Sequence, residues 1–342
     1  MIINGIKIEN TFAEAFPMKA VRLIITADSK YWLKQATNSM TGFATSVIAC
    51  GCEAGIEKVV HYSKTPDGRL GVAVLLFAMN SEDLAKQVIR RVGQCILTTP
   101  TTACFSGIET DEKINLGNAI RFFGDGFQIS KKINNKKFWR IPVMDGEFII
   151  EDKTSIIAGI GGGNILIIGN SNCDVLKSGE AAVKEMKKVD NIILPFPGGI
   201  VRSGSKVGSK YKNLIASTND AYCPTLKGIT KTKLNKNAES VLEIVIDGIF
   251  GTHRVFQPYF GSFYTFLINF FEFFAVAVII SCVLFLIRRN ILKIRRFHKP
   301  EMAKWPTLDA NLILVLEIVL MFFLLNMNAT DTSIALKAGK QQ

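Results

Sequence analysis

The stretch Pro195 to Leu226, PFPGGIVRSGSKVGSKYKNLIASTNDAYCPTL, gathers small residues, hydroxyls and the cations Arg202, Lys206, Lys210 and Lys212 in one irregular segment. Gly198, Gly199, Gly204 and Gly208 let the backbone turn with φ > 0 or approach a ligand closely. Hydroxyls and lysines at such turns hold anionic, polar ligands. From Ser217 to Thr225, polar groups and an aromatic crowd ahead of a proline in a way that no simple turn requires. A solvated loop is the plain alternative. The second candidate is Glu243, set in the otherwise apolar strand pattern Val-Leu-Glu-Ile-Val-Ile. Burial there raises a carboxyl's pKa and keeps a proton available for acid–base work. Period-two alternation leaves open a Glu that points to solvent instead.

Other chemistries find little support. Three scattered histidines and seven cysteines form no CxxC, HxxxH or mixed cluster, which argues against a metal site. Cys223 has no histidine near it in sequence to make it a nucleophile. Gly159 to Asn164, GIGGGN, runs into the apolar ILIIG and not into a helix, so it fails as a dinucleotide fingerprint. Gly204 to Lys210 lacks Walker A spacing. The net charge of +12 shows no basic–aromatic interleaving, so nucleic acid is not an expected partner. The chain opens on IINGIKIENTF with no secretory signal, and reduced thiols in the cytoplasm are expected.

The elements that must position these residues read as an α+β chain large enough for two domains. Residues 2–9 suggest a first strand, with Asn10 or Thr11 capping a helix begun by AEAF. Val21 to Ala27 and Gly71 to Met79 read as strands, and Tyr31 to Asn38 as a helix. Ser81 is expected to cap EDLAKQVIRRVGQ, whose acidic start and basic end suit a helix dipole. KKINNKK reads as a hairpin turn before FWRIPVM. Glu147 to Gly169 looks like two strands around a Gly-rich turn, followed by a helix over Cys173 to Val189. NIILPF and VLEIVIDG add further strands, which suggests most of a ferredoxin-like unit in the second half.

Beyond residue 250 the composition changes. Residues 263–287 are long and apolar enough to span a bilayer with only Glu272 charged, and 308–327 form a second candidate span containing Glu317. Each acid is expected to face a partner helix or a quinone-like site. Between them the loop 288–307 carries Arg288, Arg289, Lys293, Arg295, Arg296, Lys299 and Lys304, which places it on the cytoplasmic side. Residues 250–262 form a junction and 328–342 a tail.

Blocks in one order along residues 1–249 resemble formylmethanofuran:tetrahydromethanopterin formyltransferase. They are NTFAEAF (Asn10 to Phe16), TGFATSVI (Thr41 to Ile48), EAGIE (Glu53 to Glu57), TPDGR (Thr65 to Arg69), GQC (Gly93 to Cys95), FFGDGFQ (Phe122 to Gln128), IPVMDGEF (Ile141 to Phe148), the stretch Pro195 to Leu226, and VLEIVIDG (Val241 to Gly248). The resemblance implies two ferredoxin-like α/β-sandwich lobes, a proximal one over 1–150 and a distal one over 151–249. The distal lobe lacks the family's last helix and strand. It also implies formyl transfer from formylmethanofuran to N5 of tetrahydromethanopterin. Both are carrier substrates, and no bound cofactor or metal is needed. Glu243 matches the family's proposed catalytic glutamate. Ser217, Thr218, Asn219, Asp220 and Tyr222 are the next candidates, for positioning or for the oxyanion, and Ser205 is expected to bind substrate. Lys206 and Lys210 suit the carriers' phosphate and carboxylates, with surface solvation an equal reading. Thr41, Gly42 and Phe43 are expected to line the same cleft from the other lobe or another subunit, and Ala44 replaces a usual Gly. A homo-oligomer is implied.

The tail resembles the membrane segment of bacterial iron–sulfur oxidoreductases related to heterodisulfide reductase, but the cluster-ligating cysteines are absent. Two spans around a cytoplasmic loop would put the formyltransferase part on the far side of the membrane. That conflict suggests a fusion at about residues 249–254. The alternative function is therefore a chimeric or membrane-anchor fragment with an inactive formyltransferase part.

Overall fold

The computed structural model describes residues 2–3, 5–9, 15–249, 257–292 and 305–337, with side chains in the last two stretches described only for 270–292, 309–323 and 325–326. The expected cap at Asn10 or Thr11, most of the junction, the basic loop beyond residue 292 and residues 338–342 lie outside the described residues. The chain divides into two units, Met1–Gly251 and Thr252–Gln342.

The first unit is built around the strand Phe16–Thr26. One edge of it pairs antiparallel with Gly71–Ala78 along eight residues, from Lys19 opposite Ala78 to Thr26 opposite Gly71. The other edge is shared. Residues 16–20 pair with the start of the Ile157–Gly169 strand, and residues 23–26 pair with Ala103–Ser106. One continuous sheet therefore serves both halves of the unit.

In the first half the spatial order is Cys52–Val60, Gly71–Ala78, Phe16–Thr26, Ala103–Ser106, each neighbour antiparallel. Helices Lys30–Thr41 and Ser81–Arg91 make the two crossovers. This is the split βαβ arrangement. Its core holds Leu23, Ile25, Leu33, Met40, Val74, Leu76, Leu84 and Val88. Leu75 and Phe77, on the opposite face of the same strand, pack with Met18, Ala20, Ile193 and Ile249. Gly71–Ala78 is buried along its whole length, which is why it reads as an unbroken apolar run. A hairpin layer extends the sheet where Gly146–Glu151 pairs parallel with Ala103–Ser106. The KKINNKK turn forms as expected, with Asn134 and Asn135 both at positive φ.

The second half repeats three quarters of the pattern. Ile192–Ile193, Ser240–Ile249 and Ile157–Gly169 lie side by side, antiparallel, with the helix Asn172–Met186 between the first and second strands in sequence. Gly161 to Gly163 is not the expected turn. It is a bulge within one 13-residue strand, because the register slips by one residue between Ile160 and Gly163. Three further expectations are corrected. The cap of the second helix is Asn80, whose side chain accepts from the Asp83 N–H, and not Ser81. Residues 2–9 form two 2-residue strands folded back at Gly5, and Phe16 opens a strand and not a helix. NIILPF shrinks to the two-residue strand Ile192–Ile193 because Pro195 and Pro197 interrupt the ladder.

The second unit contains helices Gln257–Leu286 and Trp305–Lys337, joined side to side by paired amides of Asn290 and Asn311 (3.0 and 3.3 Å). Among the described residues one stretch, Phe270–Ile291, is long and apolar enough to cross a membrane. The second expected span, 308–327, does not emerge as one among them, so two membrane helices are not supported.

Candidate functional site

Glu243 sits at the centre of the Ser240–Ile249 strand and its backbone is fully engaged. Its N–H donates to the Val201 carbonyl (2.9 Å) and its carbonyl accepts from the Val201 N–H (2.7 Å). On the other edge the strand is laddered to Ile157–Gly169, with Leu166 opposite Glu243. The side chain is half-buried, and its Oε1 accepts a 2.8 Å hydrogen bond from Asn164 Nδ2.

Glu243 borders a cavity of about 80 Å³ lined also by Arg202, Gly204, Thr218, Asn219, Tyr222 and Cys223. The Gly-rich stretch builds this wall in two steps. Ser205–Val207 and Ala216–Thr218 form a small hairpin with Ser205 opposite Thr218 and Lys206 opposite Ser217. Ser217 Oγ donates to the Gly208 carbonyl (2.7 Å), a bond made possible by the left-handed turn at Gly208. Asn219 then starts a single 3₁₀ turn, Asp220–Tyr222, tied down by Thr230 Oγ1 to the Asp220 carbonyl and by the Lys233 N–H to the Ala221 carbonyl. Lys206 forms an ion pair with Asp220, and that contact holds the Asp220 carboxyl below its ordinary range.

The structure thus brings together Thr218, Asn219, Tyr222 and Glu243, with Asp220, Lys206, Ser205 and Ser217 in the supporting hairpin and turn. Lys210 lies exposed beyond the hairpin. Thr41, Gly42 and Phe43 line a different cavity, of about 360 Å³, together with Asn38, Gly55, Glu57 and the Ile192 to Gly199 segment. Within this unit they do not share the Glu243 cavity. Phe43 is held at φ 50° and is 81% exposed. The Arg91 guanidinium supports it by donating to the carbonyls of Met40 (2.7 Å), Gly42 (2.9 Å) and Phe43 (3.1 Å) at the helix end. Ala44, behind it, is fully buried.

A second carboxylate on the Glu243 face has no expected role. Asp247 is fully buried, and its carboxyl meets that of Glu53. Asp247 Oδ2 and Glu53 Oε2 each lack an N–H partner, so one proton shared between them satisfies both. Burial, then the Glu53 charge, pushes Asp247 up to about 9. Asn164 and Asp247 were not among the expected site residues, and Arg202 was expected only as one of the cations of the Pro195 to Leu226 stretch. A polar Asn closing a Gly-rich run before ILIIG is the signal that pointed to the first.

A family model described as formylmethanofuran-tetrahydromethanopterin formyltransferase matches residues 1–143, and one described as FTR, proximal lobe, matches residues 146–255. The name proximal lobe thus falls on the second half, where the sequence reading gave it to residues 1–150. The formylmethanofuran–tetrahydromethanopterin formyltransferase of Methylococcus capsulatus is 61% identical over 249 residues, covering 73% of this chain and 84% of that protein. Among solved structures, the formyltransferase/hydrolase complex of Methylorubrum extorquens with methylofuran aligns with a TM-score of 0.71 at 52% identity, over 72% of this chain and 82% of its own. The formyltransferase of Methanosarcina barkeri aligns with a TM-score of 0.70 at 46% identity, over 73% and 85%. The family matches stop at residue 255, and kinship of the tail with iron–sulfur oxidoreductases is not supported. With matches running through both the Thr41–Phe43 turn and the Glu243 strand, this chain belongs to the formylmethanofuran–tetrahydromethanopterin formyltransferase family.

Proposed function

We propose that this chain transfers a formyl group from formylmethanofuran to N5 of tetrahydromethanopterin, with Glu243 carrying the proton. The relatives named above support the reaction. One observation carries the assignment to Glu243: it lines the cavity that Thr218, Asn219 and Tyr222 also line. The N5 amine attacks the formyl carbon, and the C=O electrons move to oxygen to give a tetrahedral oxyanion. The Thr218 and Tyr222 hydroxyls and the Asn219 amide are the donors for that charge. The Glu243 carboxylate takes the proton that N5 gives up. It returns a proton to the methanofuran nitrogen as the C–N bond breaks and the carbonyl reforms. Both carriers are substrates, and the step needs neither metal nor bound cofactor.

The lobe boundary near residue 150 is part of this reading, supported by the passage from one family model to the next between residues 143 and 146. So is assembly into an oligomer, in which the exposed Phe43 and its cavity meet another copy. The exposed phenylalanines of Phe270–Ile291 support a membrane seat for the second unit. The test is turnover by detergent-solubilised full-length protein, followed by the absorbance change when acid converts the formyl product to its methenyl form. Glu243→Gln is expected to lower kcat by about 10²- to 10⁴-fold. Full turnover in a folded E243Q protein overturns the assignment. A chain that stays soluble and monomeric without detergent removes both the membrane seat and the oligomer.

A further inference from the structure

We propose that Asn164 is a positioning residue for Glu243, placed against the carboxyl by the glycine bulge that precedes it; this rests on the reading of Glu243 as the proton carrier. The ladder shows how the placement arises. Ile160 stands opposite Gly248, but Gly163 stands opposite Ile246, so the Ile157–Gly169 strand carries one extra residue over this interval. Without that residue Asn164 would fall opposite Ile244, which is fully buried on the other face of the sheet. With it, Asn164 falls opposite Val245, on the face that Glu243 and Asp247 share. A bulge of this kind re-aims a side chain.

The bulge is fixed by features that have no other evident use. Gly162 adopts φ 81°, and a Cβ there would come within 2.5 Å of the Phe16 ring. A Cβ at Gly161 would meet Met18 Sδ at 2.2 Å. The Gly162 N–H donates to Asp247 Oδ1 at 3.2 Å, so the buried Asp247 and Glu53 pair clamps the bulge from below. Asn164 Nδ2 then reaches Glu243 Oε1, while Oε2 accepts no hydrogen bond among the described residues. One carboxylate oxygen is thereby anchored by a neutral donor and the other is left to take and return the proton. A donor that does not titrate holds the carboxyl in place without competing for its charge.

The experiment is the pH profile of kcat/KM for the full-length Asn164→Ala and Asn164→Asp proteins beside Glu243→Gln, with the KM of each carrier and thermal unfolding recorded. Removal of a hydrogen bond to a charged carboxylate is expected to lower kcat about tenfold or more with both KM values kept. The limb that depends on Glu243 is expected to move to higher pH in Asn164→Ala and further in Asn164→Asp, where a like charge replaces the donor. Should Asn164→Ala lose its fold, Asn164→Asp keeps the shape and carries the test. An E243Q protein that is inactive beside Asn164 variants with an unmoved limb overturns the positioning role alone. An active E243Q protein brings down the Glu243 reading and this inference with it.

Discussion

The third strand of each half of residues 1–251 occupies the same place, between the second and first strands of its own repeat, yet the two differ in what they carry. Gly71–Ala78 is apolar and buried on both faces, flanked on each side along its length. Ser240–Ile249 mixes buried and half-buried positions on both faces and sets Glu243 and Asp247 on one of them. The first repeat is complete, with four strands and two helices. The second has three strands and one helix, and Ile165 and Ile168 on its outer strand stay exposed. The comparison teaches a division of labour. The complete repeat supplies a core that fixes the sheet, and the open repeat carries Glu243, Asp247 and the cavity that Glu243 borders.

Truncating each third strand tests that division most strongly. Phe77 is fully buried against the second half, and Phe77→Ala is expected to lower stability by about 3–5 kcal/mol in urea unfolding. Val245→Ala, at a half-buried position in the other strand, is expected to cost about 1 kcal/mol. Equal losses would break the distinction.

Asp247→Asn gives a smaller effect with a definite sign. The folded chain keeps the Asp247 proton until about pH 9, while the unfolded chain releases it near the ordinary aspartate value of about 3.9. Stability contributed by the protonated group is therefore present below about pH 4 and is lost as pH rises towards 9. Asn keeps an oxygen for the Gly162 N–H and offers an N–H to Glu53. The melting temperature of the variant should rise above the parent's by more at pH 8 than at pH 5. A gap that narrows between those pH values would exclude the shared proton.

The smallest effect belongs to the rim of the Glu243 cavity. Lys206 and Asp220 form an exposed ion pair, and Lys206→Ala is expected to change stability by no more than about 1 kcal/mol. Its effect should fall on the KM for a carrier and fade at high salt. A loss in kcat with unchanged KM would assign Lys206 to the chemistry instead.

The sequence alone determined elements such as Gly71–Ala78, Lys30–Thr41 and Asn172–Met186, because apolar runs and helix signals are local, whereas the strands Cys52–Val60 and Ala103–Ser106 were not legible in it. It also singled out Glu243 and the Ser217–Tyr222 stretch, since a carboxyl in an apolar strand and a polar crowd before a proline are legible as composition. Only the tertiary structure decided which of these meet. Thr41–Phe43 and Glu243 fall in separate cavities, Lys206 turns to Asp220, and Asp247 finds Glu53 from a strand nearly two hundred residues away. The GIGGGN run was legible only as a turn. Its true form depends on Phe16, Met18 and Asp247 crowding the same backbone, and no local pattern encodes contacts supplied by distant strands.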